Sequence, residues 1–305
     1  MQKPLISICC ITYNHIAYIR QCLDGFLMQR TTFPYEIIIN DDCSTDGTTD
    51  VIREYVTKYP EIIRPIYHDE NQYSKGVRGM FATFCFPKAK GKYIAMCEGD
   101  DYWTDPLKLQ RQVVFLEENP EYGLVYTNFQ QTNVVTGEVS LELNRPFYEG
   151  RPLSEFLMKK FHIATLTVCF RKSLLSIIDT SYQEKSFLMG DYPLWIEIMR
   201  TSNIKYIPEI TANYNVLAES ASHSQTIAKR LYFLKNTWEI SLFFAKKYKL
   251  KDEEKEAKLF LIFYDSIIGR IEHEYLFVIL NLLKLMFYSP PLFFKSCKFF
   301  ILHVK

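Results

Sequence analysis

The first 127 residues alternate short apolar runs with helix-length stretches, and that alternation leaves few folds open. Leu5 to Ile11, Tyr35 to Asn40, Ile62 to Tyr67, Lys92 to Cys97 and Leu124 to Thr127 read as strands. Near-continuous apolar runs of this length suit parallel strands buried on both faces. Helices are expected between them, from about Ile16 to Gln29, Thr48 to Tyr59 and Pro106 to Glu118. Pro60 stops the second, and Pro106 opens the third, where a missing N–H costs nothing. Strands that alternate with helices demand right-handed crossovers and a mostly parallel sheet covered on both sides. The expected class is therefore α/β.

The pattern turns irregular from about Gln130 to Gly150, with a turn at Thr136-Gly137, and mixes short helices and strands through 153–225. The sheet-bearing body ends near Thr226. Arg230 to Tyr248 and Asp252 to about His273 read as helices, and no internal repeat is visible. The segment from Tyr275 to Lys305 holds no Asp or Glu, four Lys and eight aromatics. Its apolar run, Tyr275 to Tyr288, is 14 residues, short of the about 20 that a membrane span needs. Asn281, Lys284 and Tyr288 recur at helical spacing as a narrow polar stripe, and Lys295, Lys298 and Lys305 share a face beyond Pro290-Pro291. This is the pattern of a helix lying in a membrane interface. A pair of core or oligomer helices is the alternative.

With 48% hydrophobic and 23% charged residues in 305, the chain can bury a large core. Its 36 Lys and Arg against 35 Asp and Glu leave +1, which argues against nucleic acid as a partner held by bulk charge. Eight cysteines show no CxxC pair or zinc-like spacing, so they are expected to be reduced thiols acting as small hydrophobes. No secretory signal precedes the first strand, and a cytoplasmic location is expected.

Chemistry gathers where strands end. In an open parallel sheet, ligands bind beyond the carboxyl ends of the strands. The first strand ends at Thr12-Tyr13-Asn14, the second at Asp41-Asp42 with Asp46 close behind, and the fourth at Glu98-Gly99-Asp100-Asp101. Crowded carboxylates repel and require a cation or hydrogen-bond donors. Oxygen ligands select Mg²⁺ or Mn²⁺, commonly bridged to substrate phosphates. No Walker-type loop and no GxGxxG follow the first strand. Asp41 and Asp46 have a second reading, as Asx-turn and capping residues for the helix near Thr48.

Four blocks, Ile6 to Gln29, Tyr35 to Ile52 (with NDDCSTDGT), Ala89 to Gln112 (with EGDDYW) and Met189 to Ile198, occur in one order over about residues 4–225. In them the chain resembles a family 2 glycosyltransferase, with the GT-A fold of inverting, nucleotide-sugar-dependent enzymes. The resemblance implies a Rossmann-like, mostly parallel sheet flanked by helices, with a C-terminal helical extension. It divides the chain into a nucleotide-sugar-binding half (1–127), an acceptor-binding half (128–225) and a helical extension (226–305) that could meet a membrane surface.

By that resemblance, Thr12, Tyr13 and Asn14 lie beside the nucleotide, and Asp42 holds the base, with Asp41 its neighbour and Asp46 supporting the loop. Asp100 matches the main metal-binding acid of the DxD motif. Glu98 stands where the first Asp usually does, so its role, metal or ribose, stays open, and Gly99 lies between them. Asp191 matches the catalytic base, although Gly190 replaces the usual acidic neighbour; a helix N-cap is its second reading. Arg78 and Lys75 are candidates to meet the diphosphate, and His223 to contact metal or phosphate. Asp101, Trp103, His162, Thr165 and Trp195 are candidates for the acceptor side.

The implied partners are a nucleotide-diphosphate sugar and a glycan or lipid-linked sugar acceptor, with Mn²⁺ or Mg²⁺ as cofactor. The setting implied is bacterial cell-surface polysaccharide or lipid-linked glycan assembly, cytoplasmic or peripheral on the cytoplasmic membrane face. Two other readings stand beside it. A catalytically inactive nucleotide-sugar scaffold is opposed by the complete set Asp42, Asp100 and Asp191. A nucleotidyltransferase would carry a Gly-rich phosphate loop, and Cys9 to His15 has no Gly.

Overall fold

The computed structural model describes residues 3–141, 152–158, 163–185, 187–218 and 226–303. The expected βα alternation is present. β1 (Ile6–Thr12), α1 (Ile19–Leu27), β2 (Tyr35–Asp41), α2 (Thr48–Lys58), β3 (Ile63–Tyr67) and β4 (Tyr93–Glu98) follow in order. All four of these strands pair in parallel, on the path β3-β2-β1-β4. A short π-helical turn, Phe81–Cys85, precedes β4. Beyond it come β5 (Tyr102–Trp103), α3 (Lys108–Glu118), β6 (Tyr122–Asn133), β7 (Val139–Ser140), α4 (Leu153–Leu157), β8 (Val168–Arg171), α5 (Asp191–Thr201) and β9 (Asn203–Val216).

The second half of the sheet is mixed. Its path continues β4-β8-β6-β9-β5, with β8 antiparallel to both neighbours, β9 parallel to β6 and β5 antiparallel to β9. The strand expected at Leu124 to Thr127 runs on to Asn133, because β9 pairs with it along most of its length through several register shifts. The parallel pattern was visible locally because each crossover helix lies beside its strands in sequence. The pairing of β6 with β9 spans more than 70 residues and leaves no such trace.

The core of this body lies between the sheet and helices α1, α2 and α3. Ile8 and Cys10 of β1, Ile37 and Ile39 of β2, and Ala95 and Cys97 of β4 meet Leu23, Phe26, Ile52, Leu109 and Val113. Fully burying each aliphatic side chain contributes about 1.5–3 kcal/mol. All eight cysteines are free thiols, and six are buried as small core residues. The chain separates into two compact units, 1–153 with 161–216, and 154–160 with 217–305. The second unit consists mainly of α6 (Ile227–Lys247), α7 (Lys251–Ile271), α8 (Tyr275–Tyr288) and α9 (Pro290–His303). Within it, Trp238 of α6 stacks on Phe260 of α7 at 3.9 Å, and Phe263, Ile267, Ile268 and Leu285 form a small core. Among the described residues, no helix is long and apolar enough to cross a membrane.

Where the parallel and mixed halves meet, Arg171 at the end of β8 fastens three elements. Its Nε donates to Tyr122 O at 2.7 Å, one Nη to the Tyr93 hydroxyl at 3.1 Å, and the other to Asn119 O at 3.1 Å and to Leu116 O at the end of α3. Only the planar guanidinium fork serves all of these acceptors. Arg171→Ala is expected to lower unfolding free energy by about 2–3 kcal/mol in urea titration, and Arg171→Lys to recover less than half of that.

Candidate active site

Register brings the strand-end chemistry to one edge. Thr12 lies opposite Asp41, Ile11 opposite Glu98, and Asp41 opposite Tyr67. The loop after β1 is knitted to the loop after β2. Asn14, in the left-handed region at φ 55°, donates its N–H to the Ser44 hydroxyl, and its side-chain oxygen accepts from Thr45 N at 2.8 Å. Asp46 accepts from Ile16 N, Thr48 N and the Thr48 hydroxyl. Burial alone would raise its carboxyl, but these hydrogen bonds outweigh it and hold the pKa below the ordinary value. Asp41 takes the Ser44 N–H and hydroxyl on one oxygen and the Thr49 hydroxyl on the other. Both carboxylates thus build the loop, the turn-and-cap reading.

Asp42 is buried, and its two oxygens accept the backbone N–H groups of Gln72 and Tyr73 at 2.7 and 3.0 Å. That ties the segment before β4 to the end of β2. Arg78 donates to Tyr73 O and Val77 O and lies over the Tyr73 ring at 4.1 Å, while Lys75 pairs with Glu70. These basic side chains are therefore engaged by their own loop. Tyr13 and Tyr73 keep exposed rings on this edge.

At the end of β4, the Glu98 carboxyl lies near enough to both Asp100 and Asp191 to feel their charge. Burial, then Asp100, then Asp191, push the Glu98 carboxyl up to about 8 from an ordinary 4.5. Thr165 joins the two sides: its hydroxyl donates to Asp191 Oδ2 at 3.0 Å and also hydrogen-bonds Glu98. Asp191 is the first residue of α5 rather than its cap. Its other oxygen accepts the Tyr192 N–H at 2.8 Å. Pro193 fits in this first turn. Gly190 suits the packing: a Cβ there would stand 3.2 Å from the Gly79 Cα, so a larger residue would need that backbone to give by a few tenths of an ångström. A Cβ on Gly99 would press within 2.7 Å on Thr12.

Sequence reasoning missed two residues here. His15 places Nε2 3.8 Å from Asp100 Oδ2 and Nδ1 3.2 Å from the Thr12 hydroxyl; its adjacency to the Thr12-Tyr13-Asn14 loop was the available signal. Asn215, at the far end of β9, donates its amide to Asp100 O at 2.6 Å and its backbone N–H to Asp101 Oδ1 at 2.8 Å. No local pattern could announce a contact across 114 residues. Asp101 is buried, and burial with Asp100 and Glu98 raises its carboxyl well above the ordinary range. It braces β9 rather than facing an acceptor.

Trp103 and Trp195 read equally as sugar-facing walls or as buried packing, and the structure has them packed: both are 1% exposed. Trp103 donates Nε1–H to Leu166 O and packs edge-on against Phe26, while Trp195 meets Phe170. His162 and His223 lie outside the described residues. Among the described residues no group of three or more His, Cys, Asp or Glu forms a complete protein metal cage. Glu98 and Asp100 with little opposing positive charge instead fit a Mg²⁺ or Mn²⁺ ion that shares its remaining ligands with substrate phosphates.

Residues 7–177 match the profile described as Glycosyl transferase family 2, and the chain belongs to that family. An uncharacterised protein of Mycobacterium bovis is 36% identical over 232 residues, 75% of this chain and 63% of the relative. The chain thus spans under two thirds of that relative's length. The Escherichia coli protein WfaP, named as a UDP-Glc:alpha-D-GlcNAc-diphosphoundecaprenol beta-1,3-glucosyltransferase, is 33% identical over 200 residues, 64% of this chain and 70% of WfaP. The crystal structure of Staphylococcus aureus TarS 1–349 superposes with a TM-score of 0.57 at 15% identity, covering 90% of this chain and 88% of that one. The fold is GT-A.

The raised Glu98 carboxyl has a sign. Its folded pKa of about 8 exceeds the unfolded 4.5, so the stability linked to its proton is full below pH 4.5 and is lost as pH climbs toward 8. With chelator present, thermal unfolding between pH 5 and 8 is expected to show a falling component of at most about 1.4 kcal/mol per pH unit. Glu98→Gln should remove that component.

Proposed function

We propose that this chain transfers a sugar, with inversion, from a nucleotide-diphosphate sugar to a hydroxyl of a lipid-linked glycan in cell-surface polysaccharide assembly. The observation that carries the reading is the approach of Asp191, from the start of α5, to Glu98 at the end of β4, with Asp100 on the other side of Glu98 in reach of the same carboxyl. Two carboxylate functions from distant parts of the chain are what a single displacement at an anomeric carbon requires. WfaP, by its name, uses UDP-Glc and a diphosphoundecaprenol-linked acceptor, which supports a nucleotide-sugar donor and a lipid-borne acceptor here.

Asp191 is the general base. Thr165 and the Tyr192 N–H orient its carboxylate to take the acceptor hydroxyl proton. Asp100 and Glu98 are the residues that would hold Mn²⁺ or Mg²⁺, and Glu98, whose carboxyl is raised to about 8, would have to be deprotonated to serve as a ligand. The bound cation supplies charge neutralisation for the departing diphosphate. His15 orients Asp100, and Asn215 fixes the turn that carries it. The loops at Thr12 to Asn14 and Asp42 to Tyr73 receive the nucleoside, with the exposed Tyr13 and Tyr73 rings as stacking surfaces. One attack without a covalent intermediate inverts the anomeric centre. The eight free thiols suit the reducing cytoplasm, and the acceptor sets the site at the cytoplasmic membrane face.

The test is binding and turnover on a donor panel, with and without Mn²⁺. Asp100→Ala is expected to abolish cation-dependent donor binding. Asp191→Asn should retain donor affinity and lose about 10²- to 10⁴-fold in kcat. The product anomer, read by proton NMR, should be inverted. Donor binding with no transfer to any lipid-linked acceptor would favour the scaffold reading, and absence of donor binding by the folded, metal-supplemented protein would overturn the proposal.

A further inference from the structure

The second unit turns its most apolar helix outward. Only Val278, Asn281 and Leu285 of α8 are buried, at the i, i+3, i+7 spacing of a narrow seam. The stripe expected from sequence is thereby split: Asn281 is 3% exposed and faces in, while Lys284 and Tyr288 face out. The rest of the helix presents large apolar side chains to solvent, among them Leu276 at 73%, Ile279 at 54%, Leu280 at 50% and Phe287 at 82% exposed. Phe294 of α9 adds another at 68%. A contiguous apolar surface of this kind marks an interaction site.

We propose that the outward face of α8, with Phe294 and the lysines of α9, docks on an anionic lipid surface. The charge pattern selects the occupant. Acidic residues end at Glu274, and the described part of 275–303 carries Lys284, Lys295 and Lys298, all exposed, with no carboxylate. A second copy of the chain paired about a two-fold axis would bring these lysines together with nothing to neutralise them. Anionic headgroups neutralise them, and the acyl boundary takes the leucines and Phe287. At 14 residues, α8 measures about 21 Å, shorter than the about 30 Å hydrocarbon core, so it lies along the surface rather than crossing it. The proposal leans on the lipid-borne acceptor only in that docking would hold the enzyme where such an acceptor is found.

Flotation of the full chain with vesicles tests it, using phosphatidylglycerol mixed with phosphatidylcholine against phosphatidylcholine alone, with no donor present. The wild type is expected to float with the anionic vesicles and to bind the neutral ones far more weakly. Replacing Lys284, Lys295 or Lys298 by Gln should weaken binding about five-fold each. Leu276→Ser with Leu280→Ser and Phe287→Ser should abolish flotation while leaving the thermal transition and donor binding in place, since all three side chains are exposed. The proposal is overturned if the wild type fails to float with anionic vesicles, or if the triple variant floats as the wild type does. It is equally overturned if light scattering shows a dimer that the triple variant disperses. Because vesicle binding is read without donor, its failure leaves the transferase reading standing, and failure of donor binding leaves the docking result standing.

Discussion

The crowding of Asp100, Asp101 and Asp191 about Glu98 is the constraint around which the sheet-bearing unit is organised. Left to themselves, four carboxyls so close would spread apart. Here they are held by groups drawn from every part of the unit. Asn215 grips the Asp100-Asp101 turn from β9, Thr165 spans Glu98 and Asp191, and His15 stands beside Asp100. The Cys22 and Cys97 thiols both converge on the Glu98 carbonyl oxygen, at 3.5 and 3.4 Å. Part of the strain is relieved by protonation, as the raised Glu98 and Asp101 carboxyls show.

The two halves of the sheet contribute differently. The parallel half delivers Thr12, Asp41 and Glu98 to one edge simply by register, because parallel strands end together. The mixed half supplies the braces. β9 is long and irregular in its pairing with β6, and those shifts let it reach from Asn203 to Asn215 and Val216 beside the carboxylates.

Local patterns revealed much of this arrangement. Apolar runs of five to seven residues gave the parallel strands, since a strand buried on both faces has no polar face to hide it. Acidic residues at the ends of those runs gave the edge, since that placement is costly without a ligand. What escaped reading depends on long-range pairing or on burial. Asn215 is one Asn among many until β9 is laid beside β5 and β6. The demand of Gln72 N and Tyr73 N on Asp42 comes from a segment with no regular structure. Trp103 and Trp195 suited sugar platforms or core packing alike by type and position, and a large aromatic contributes more by filling the core than by facing water. Asn281 misled for the opposite reason: a helix packed on one narrow seam can bury its polar residue and expose its apolar ones.

The near-contact of Gly79 and Gly190 also bears on how this chain can change. A side chain at 190 presses on the Gly79 backbone, and Gly79 itself sits at φ 62°, where a side chain is strained. An acid at 190 is therefore tolerated only if the 72–79 segment moves, and that segment is fastened to Asp42 through Gln72 and Tyr73. The coupling runs one way: a side chain at 190 asks the backbone near Gly79, and through it the loop fastened to Asp42, to give by a few tenths of an ångström, whereas a side chain at 79 would meet only Ala82.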